Sequence, residues 1–196
     1  MEIEPHPDLI KYFETTSEFR SSMKVDDFYT KGEHYNIVSN VESNIFLMRR
    51  LESEGLLLET NSVCDCGMGL GNALFDLYLQ SNEMDQRFKF TGIEKNSEYV
   101  AFVESRLTNL WQGRLNLING DIMQQDYSKH NIIYSYSPFN NTKMLDAMYT
   151  KIRDDIKAGS VLIEHANNGL GSMESLDKIS GMIRVKLGHQ YAYVKA

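Results

Sequence analysis

Residues 61–72 read NSVCDCGMGLGN: a short, largely apolar run, three glycines at alternate positions, then the first residue of a helical pattern. No other stretch restricts the fold as strongly. A buried strand must hand over to a helix here within a few residues, and glycines let the backbone turn sharply and be approached closely. Junctions of this kind belong to α/β proteins, whose ligands sit beyond the carboxyl ends of the strands.

The pattern recurs downstream. FKFTGIE (88–94) reads as a second strand, followed by Tyr99, Phe102, Val103, Leu107 and Leu110 at helical spacing on one face. Leu115 to Asn119 reads as a third strand ended by Gly120-Asp121, and NIIYSY (131–136) as a fourth, halted by Ser137-Pro138. Leu145, Met148, Ile152 and Ile156 then mark a helix face, and SVLIEH (160–165) is a fifth strand. MIRVKL and QYAYVKA are extended segments joined by Gly188-His189, which predicts a hairpin. Upstream, Ser39 and Glu42 have capping-box spacing ahead of Val41, Ile45, Met48 and Leu51, with Gly55 as a stop. The expected fold is doubly wound α/β: a mostly parallel seven-stranded sheet, helices on both faces, and a C-terminal antiparallel hairpin. Residues 38–196 form its main domain. Residues 1–37 have weak periodicity and read as short helices and a loop, YTKGEHYN, making an N-terminal cap on the substrate side.

Composition narrows the function. The net charge of −7 argues against a broad, non-specific grip on nucleic-acid backbones, which draws on many Lys and Arg contacts. No apolar run approaches the ~18 residues of a membrane span, and the opening MEIEPHPDLI is acidic where a secretory signal would be basic. Two cysteines in 196 residues make no disulfide framework, so a reducing, cytoplasmic setting is expected; a monomer or small homo-oligomer is the separate expectation for its assembly.

Three readings compete for the glycine stretch. Cys64 and Cys66 could offer two thiolates to a metal, but no other cysteine completes a set, and the five histidines show no short helical pairing. Both cysteines are expected to be small buried strand residues, with no metal bound. A dinucleotide fingerprint spaces its glycines G-x-G-x-x-G, whereas Gly67, Gly69 and Gly71 read G-x-G-x-G. Asp65, two residues ahead, would meet a pyrophosphate badly and would suit a ligand carrying an ammonium group.

VCDCGMGLG resembles motif I of the class I, seven-strand S-adenosylmethionine-dependent methyltransferases. FTGIEKN, NGDIMQ, IIYSYSPF and IKAGSVLIE resemble that family's later motifs in the same order, over about residues 40–196. The resemblance implies S-adenosylmethionine as cofactor and S-adenosylhomocysteine as product. It assigns the methionine part of the cofactor to Asp65, Gly67, Gly69 and Gly71, the ribose hydroxyls to Glu94, and the adenine to Asp121 and Ile122, with Ser135 closing the cofactor side. Each role suits the residue: a strand-end carboxylate, for example, accepts two hydroxyl hydrogen bonds at once.

The acceptor side follows strand four, and the resemblance places Tyr136, Ser137 and Phe139 there as catalytic residues. Methyltransferases acting on planar amino groups carry [D/N/S]-P-P-[Y/F]; this chain keeps Pro138 and Phe139 but has Ser137 for the first proline and Tyr136 for the polar head. The departure counts against adenine or glutamine N-methylation. A G-E pair at Gly32-Glu33 and the stretch G-I-E-K (92–95) are similar to protein-lysine methyltransferases that lack a SET domain. Tyr29, Glu33 and Tyr35 are the substrate-side candidates on that resemblance. The expected activity is methyl transfer to a nucleophilic acceptor, nitrogen on a protein side chain being preferred. A small-metabolite acceptor and a non-catalytic cofactor-binding module are the alternatives.

Overall fold

The computed structural model describes residues 6–22, 46–84, 86–111, 113–136, 138–139, 141–164, 179–187 and 190–196. Tyr29, Gly32, Glu33, Tyr35, the Ser39/Glu42 pair, Ser137 and the Gly188-His189 turn lie outside them. In chain order the elements are α1 (Pro7–Ser22), α2 (Leu47–Ser53), β1 (Thr60–Cys66), α3 (Asn72–Ser81), β2 (Arg87–Glu94), α4 (Ser97–Leu107), β3 (Leu115–Asn119), a 3-10 turn (Ile122–Gln124), β4 (Ile132–Ser135), α5 (Thr142–Asp155), β5 (Val161–Glu164), β6 (Met182–Leu187) and β7 (Gln190–Lys195).

The strands form one seven-stranded sheet in the order β3-β2-β1-β4-β5-β7-β6. The first five are parallel, and β7 runs antiparallel between β5 and β6. The chain winds outward from β1 to β3 and then returns to β1's other side as β4. Strand order therefore reverses between β1 and β4, where an open α/β sheet leaves a crevice at its carboxyl edge.

Alternation along the strands divides the interior. Val63 of β1, Phe88 and Phe90 of β2, Ile132 and Tyr134 of β4, and Val161 and Ile163 of β5 face a core shared with α1 to α4. Cys64, Cys66, Ile133 and Leu162 face the other way, onto Leu145, Met148, Tyr149 and Ile152 of α5. Both cysteines are free and fully buried. Period-two alternation with apolar residues on both faces is what a sheet covered on both sides requires.

Local chemistry fixes the helix ends. α2 stops in a Schellman arrangement: Leu56 N–H donates to Leu51 O at 2.8 Å and Gly55 N–H to Glu52 O at 2.9 Å, with Gly55 at φ +68°. Asn141 caps α5, its Oδ1 accepting from Lys143 N–H at 2.9 Å.

Two expectations change. α4 ends at Leu107, and Leu110 is 53% exposed; the chain turns after the helix and buries Trp111 instead, its ring 4.1 Å from Tyr78 and nearly parallel to it. In place of short helices, residues 7–22 form a single 16-residue helix. Pro7 takes its first position, where no N–H is needed, and Leu9, Tyr12 and Thr16 make one buried stripe. Tyr and Thr on that stripe are only partly apolar, which hides the helical period from hydropathy.

Candidate functional site

The carboxyl ends of β1 and β2 carry the loop Gly67 to Gly71. All three of its glycines have positive φ: +76° at Gly67, +55° at Gly69 and +75° at Gly71. Other residues adopt that conformation only at a cost. The N–H groups of Gly67 and Met68 both donate to Ile93 O at 3.0 Å, clamping the loop to β2. Gly69 N–H donates to Glu94 Oε2 at 3.0 Å, and Gly71 N–H closes a turn onto Met68 O at 2.9 Å.

A methyl group added at Gly67 would lie 2.9 Å from Pro138 Cβ, so the loop after β1 touches the turn after β4. At Gly69 the same methyl would meet nothing within 4 Å among the described residues. Gly92, opposite Asp65 in register, has no room for a side chain because Met68 Sδ and Leu74 lie directly over it. The G-I-E-K glycine is thus a packing requirement of the loop.

Glu94 ends β2, largely buried, and accepts from Asn96 N–H at 2.8 Å through its second oxygen. Its carbonyl oxygen takes the Asn119 side-chain amide and Gly120 N–H, each at 3.0 Å, which ties the end of β3 to the end of β2. Asp121 follows immediately. It is exposed, and its Oδ1 caps the 3-10 turn by accepting from Met123 N–H at 2.8 Å. Ile122 is buried among the residues on the α5 side of the sheet.

Asp65 is the anomaly. The residue is 2% exposed, and its Oδ2 has no hydrogen-bond partner among the described residues. Burial, and then the nearby Glu94 carboxylate, push its pKa up to about 8. Buried carboxylates are ordinarily paired, so an orphan at the lip of a glycine loop needs a proton or a cation.

On the β4 side, Ser135 is fully buried, in register with Cys66 of β1 and Glu164 of β5. Tyr136 is half-buried, and that burial raises its phenol pKa. Phe139 is 8% exposed and shares a cluster with Ile122, Cys66 and Leu145. Glu164, at the end of β5, accepts from the buried Tyr149 hydroxyl at 2.6 Å. The structure therefore gathers Asp65, the three glycines, Glu94, Asp121 and Ile122 at the ends of three adjacent strands, with Ser135, Tyr136 and Phe139 on the next. Ser137, Tyr29, Glu33 and Tyr35 fall outside the described residues.

Sequence reasoning missed Asn119, Tyr149, Glu164 and Tyr12, whose hydroxyl donates to Leu70 O at 2.7 Å. Asn119 stood in plain view at a strand end. Tyr12 is 58 residues from its partner and had no local signal.

No protein-family model matches the chain, and no curated protein matches it by sequence. Solved structures do match its architecture. A methyltransferase of Podospora anserina bound to S-adenosylhomocysteine aligns over 98% of this chain and 89% of its own, at 13% identity and a TM-score of 0.64. A precorrin-6y C5,15-methyltransferase of Geobacter metallireducens aligns over 88% and 94%, at 14% identity and a TM-score of 0.55. An RNA methyltransferase of Salinibacter ruber in complex with S-adenosylhomocysteine aligns over 74% and 86%, at 16% identity and a TM-score of 0.52. The fold is the seven-strand fold of the class I methyltransferases.

Proposed function

We propose that this protein is an S-adenosylmethionine-dependent methyltransferase acting on a nucleophilic nitrogen, with a protein side chain preferred as acceptor. The observation that carries the reading is Asp65, a fully buried carboxylate with an unpartnered oxygen beside Gly67, Gly69 and Gly71. The donor's ammonium group is the cation such a site lacks. Open space over Gly69 and the positive φ of all three glycines suit close approach of its methionine part. Glu94 accepts one N–H on each oxygen, which fixes its carboxylate at the strand end, and a carboxylate so placed suits the two ribose hydroxyls. Asp121 and Ile122 stand where the adenine would be recognised, with Ser135 behind the β1–β4 crevice. The residues present fit the group.

When bound, the donor supplies an electrophilic methyl on a sulfonium sulfur. The chain's own contribution is alignment and exclusion of water. Tyr136, Ser137 and Phe139 are assigned to the acceptor, with Tyr29, Glu33 and Tyr35 on its outer side. An amine must be neutral to attack, and the burial that raises the Tyr136 phenol would lower the pKa of an amine placed beside it.

Calorimetric titration with S-adenosylmethionine and S-adenosylhomocysteine tests the first half. Micromolar binding that weakens in Asp65→Ala and Glu94→Ala is expected; no binding at millimolar donor ends the reading. Radiolabelled donor in fractionated extract tests the second half. Label is expected in protein, and label confined to nucleic acid would refute the acceptor assignment.

A further inference from the structure

Tyr12 lies on α1, far in sequence from the glycine loop, yet it reaches into the loop's framework. Its hydroxyl donates to Leu70 O at 2.7 Å. Leu70 O and Gly71 N–H belong to one peptide unit, and the other end of that unit is held by Met68 O at 2.9 Å. Both ends of a single peptide plane are therefore tied, one from within the turn and one from α1. The plane matters because Gly71 follows it. Glycine tolerates either orientation of the preceding peptide, so nothing in the local chain prevents a flip. A flip would break the Gly71 bond to Met68 and alter the start of α3, which has no side-chain cap of its own.

We propose that Tyr12 is a positioning residue for the donor seat: its hydroxyl, acting through the Leu70 carbonyl, holds the 70–71 peptide in the orientation that shapes the glycine loop. This rests on reading that loop as the donor site. The ring is anchored for the task, 4.8 Å from Phe75 and 6.3 Å from Phe102, centroid to centroid. It also presses on the loop directly, since a methyl group added at Gly71 would lie 3.3 Å from the hydroxyl oxygen. Burial keeps the phenol protonated, so the hydroxyl stays a donor throughout the ordinary pH range.

Tyr12→Phe in the full chain deletes the hydroxyl and keeps the ring. Calorimetric Kd for S-adenosylhomocysteine is expected to weaken by roughly fivefold to tenfold, about the worth of one buried hydrogen bond. Amide exchange in the ligand-free protein supplies a readout that does not need the donor. Exchange at residues 68–72 is expected to quicken by a similar factor, with α1 and β2 unchanged. Phe19→Leu is the control: Phe19 packs 4.4 Å from Phe102 on the same helix and has no bond to the loop. It should loosen α1 and leave Kd within about twofold.

Wild-type binding with an unaltered Kd in Tyr12→Phe overturns this proposal alone. Equal weakening by Phe19→Leu also overturns it, because general docking of α1 would then be the cause. If the wild type binds no donor, the functional reading falls, and the exchange rates alone decide whether Tyr12 holds the loop.

Discussion

On the β1–β2 side the candidate site is made of backbone. Three glycines at positive φ, paired N–H groups on Ile93 O and a strand-end carboxylate define it, and the buried Asp65 Oδ2 has no partner among the described residues. On the β4–β5 side it is made of side chains: Tyr136, Pro138, Phe139, and the Tyr149–Glu164 pair behind them. On the proposed reading the backbone half would meet the methyl donor, whose chemistry is constant, and the side-chain half would meet the acceptor. The two halves touch where Pro138 backs onto Gly67.

Breaking that contact should have the largest effect. Gly67→Ala adds left-handed strain of about 1–2 kcal/mol and a collision with Pro138. Stability should fall by roughly 2–4 kcal/mol, and donor Kd should weaken by about a hundredfold. Gly69→Ala bears the same backbone strain but meets no atom of the described residues within 4 Å. It should cost about 1 kcal/mol in stability and still weaken the donor by tenfold or more. Thermal melts and calorimetry on the pair decide. If the two variants lose stability equally, the halves are not in contact as described.

Asp65 sharpens the contrast through pH. With its pKa pushed up to about 8, Asp65 in the ligand-free protein holds a proton at neutral pH, and a cationic ligand must displace it. Donor affinity should therefore rise with pH by up to about tenfold per unit from pH 6 to 8, and level off above. The ligand-free fold shows the opposite slope. The folded state keeps a proton that the unfolded chain releases near pH 4, so stability falls as pH rises from about 4 to 8 and is flat outside that window. Asp65→Asn should abolish the affinity slope and remove Asp65's share of the stability slope, leaving the part between about pH 4 and 6 that the buried Asp76, its pKa raised to about 6, contributes. A donor affinity that stays independent of pH in the wild type would show that Asp65 is already paired.

The acceptor half should respond separately. Phe139→Leu retains most of the buried volume, so its stability cost should stay below about 1.5 kcal/mol. Methyl transfer should fall by about fivefold to tenfold, with donor Kd within twofold. A matching loss of donor affinity would mean that Phe139 supports the cofactor side instead.

The halves also differ in how far the sequence reveals them. A backbone site writes itself into spacing: glycines at alternate positions, then an acid at the end of each neighbouring strand. Spacing is enough to put Asp65, Glu94 and Asp121 at strand ends, along with the sheet and its closing hairpin, while their roles toward a cofactor come from the family resemblance. The other half depends on which helix residue reaches which strand end. Tyr149 falls outside the face that Leu145, Met148, Ile152 and Ile156 mark, and Glu164 reads as one residue of the strand SVLIEH. Their 2.6 Å bond joins α5 to β5 across a gap that spacing does not encode. Tyr12 escaped for the same reason, and the Leu110 error arose because nothing local shows a helix stopping short so that Trp111 can be buried.

The Tyr149–Glu164 pair gives the smallest effect on donor binding and the most specific one. Tyr149 is fully buried, and burial, then the Glu164 charge, raise its pKa, so it remains a hydroxyl donor to that carboxylate. Deleting the hydroxyl in Tyr149→Phe removes one charge-assisted bond while other contacts of Glu164 persist, at a cost of roughly 1–2 kcal/mol, or about 2–6 °C in Tm. The pair sits on the face of the sheet opposite Asp65 and Glu94, so donor Kd should not move. If Tyr149→Phe weakens the donor as Asp65→Asn does, the two faces of the sheet are coupled through Cys66 and Ser135. The division into a backbone half and a side-chain half would then describe how the site is built and not how it works.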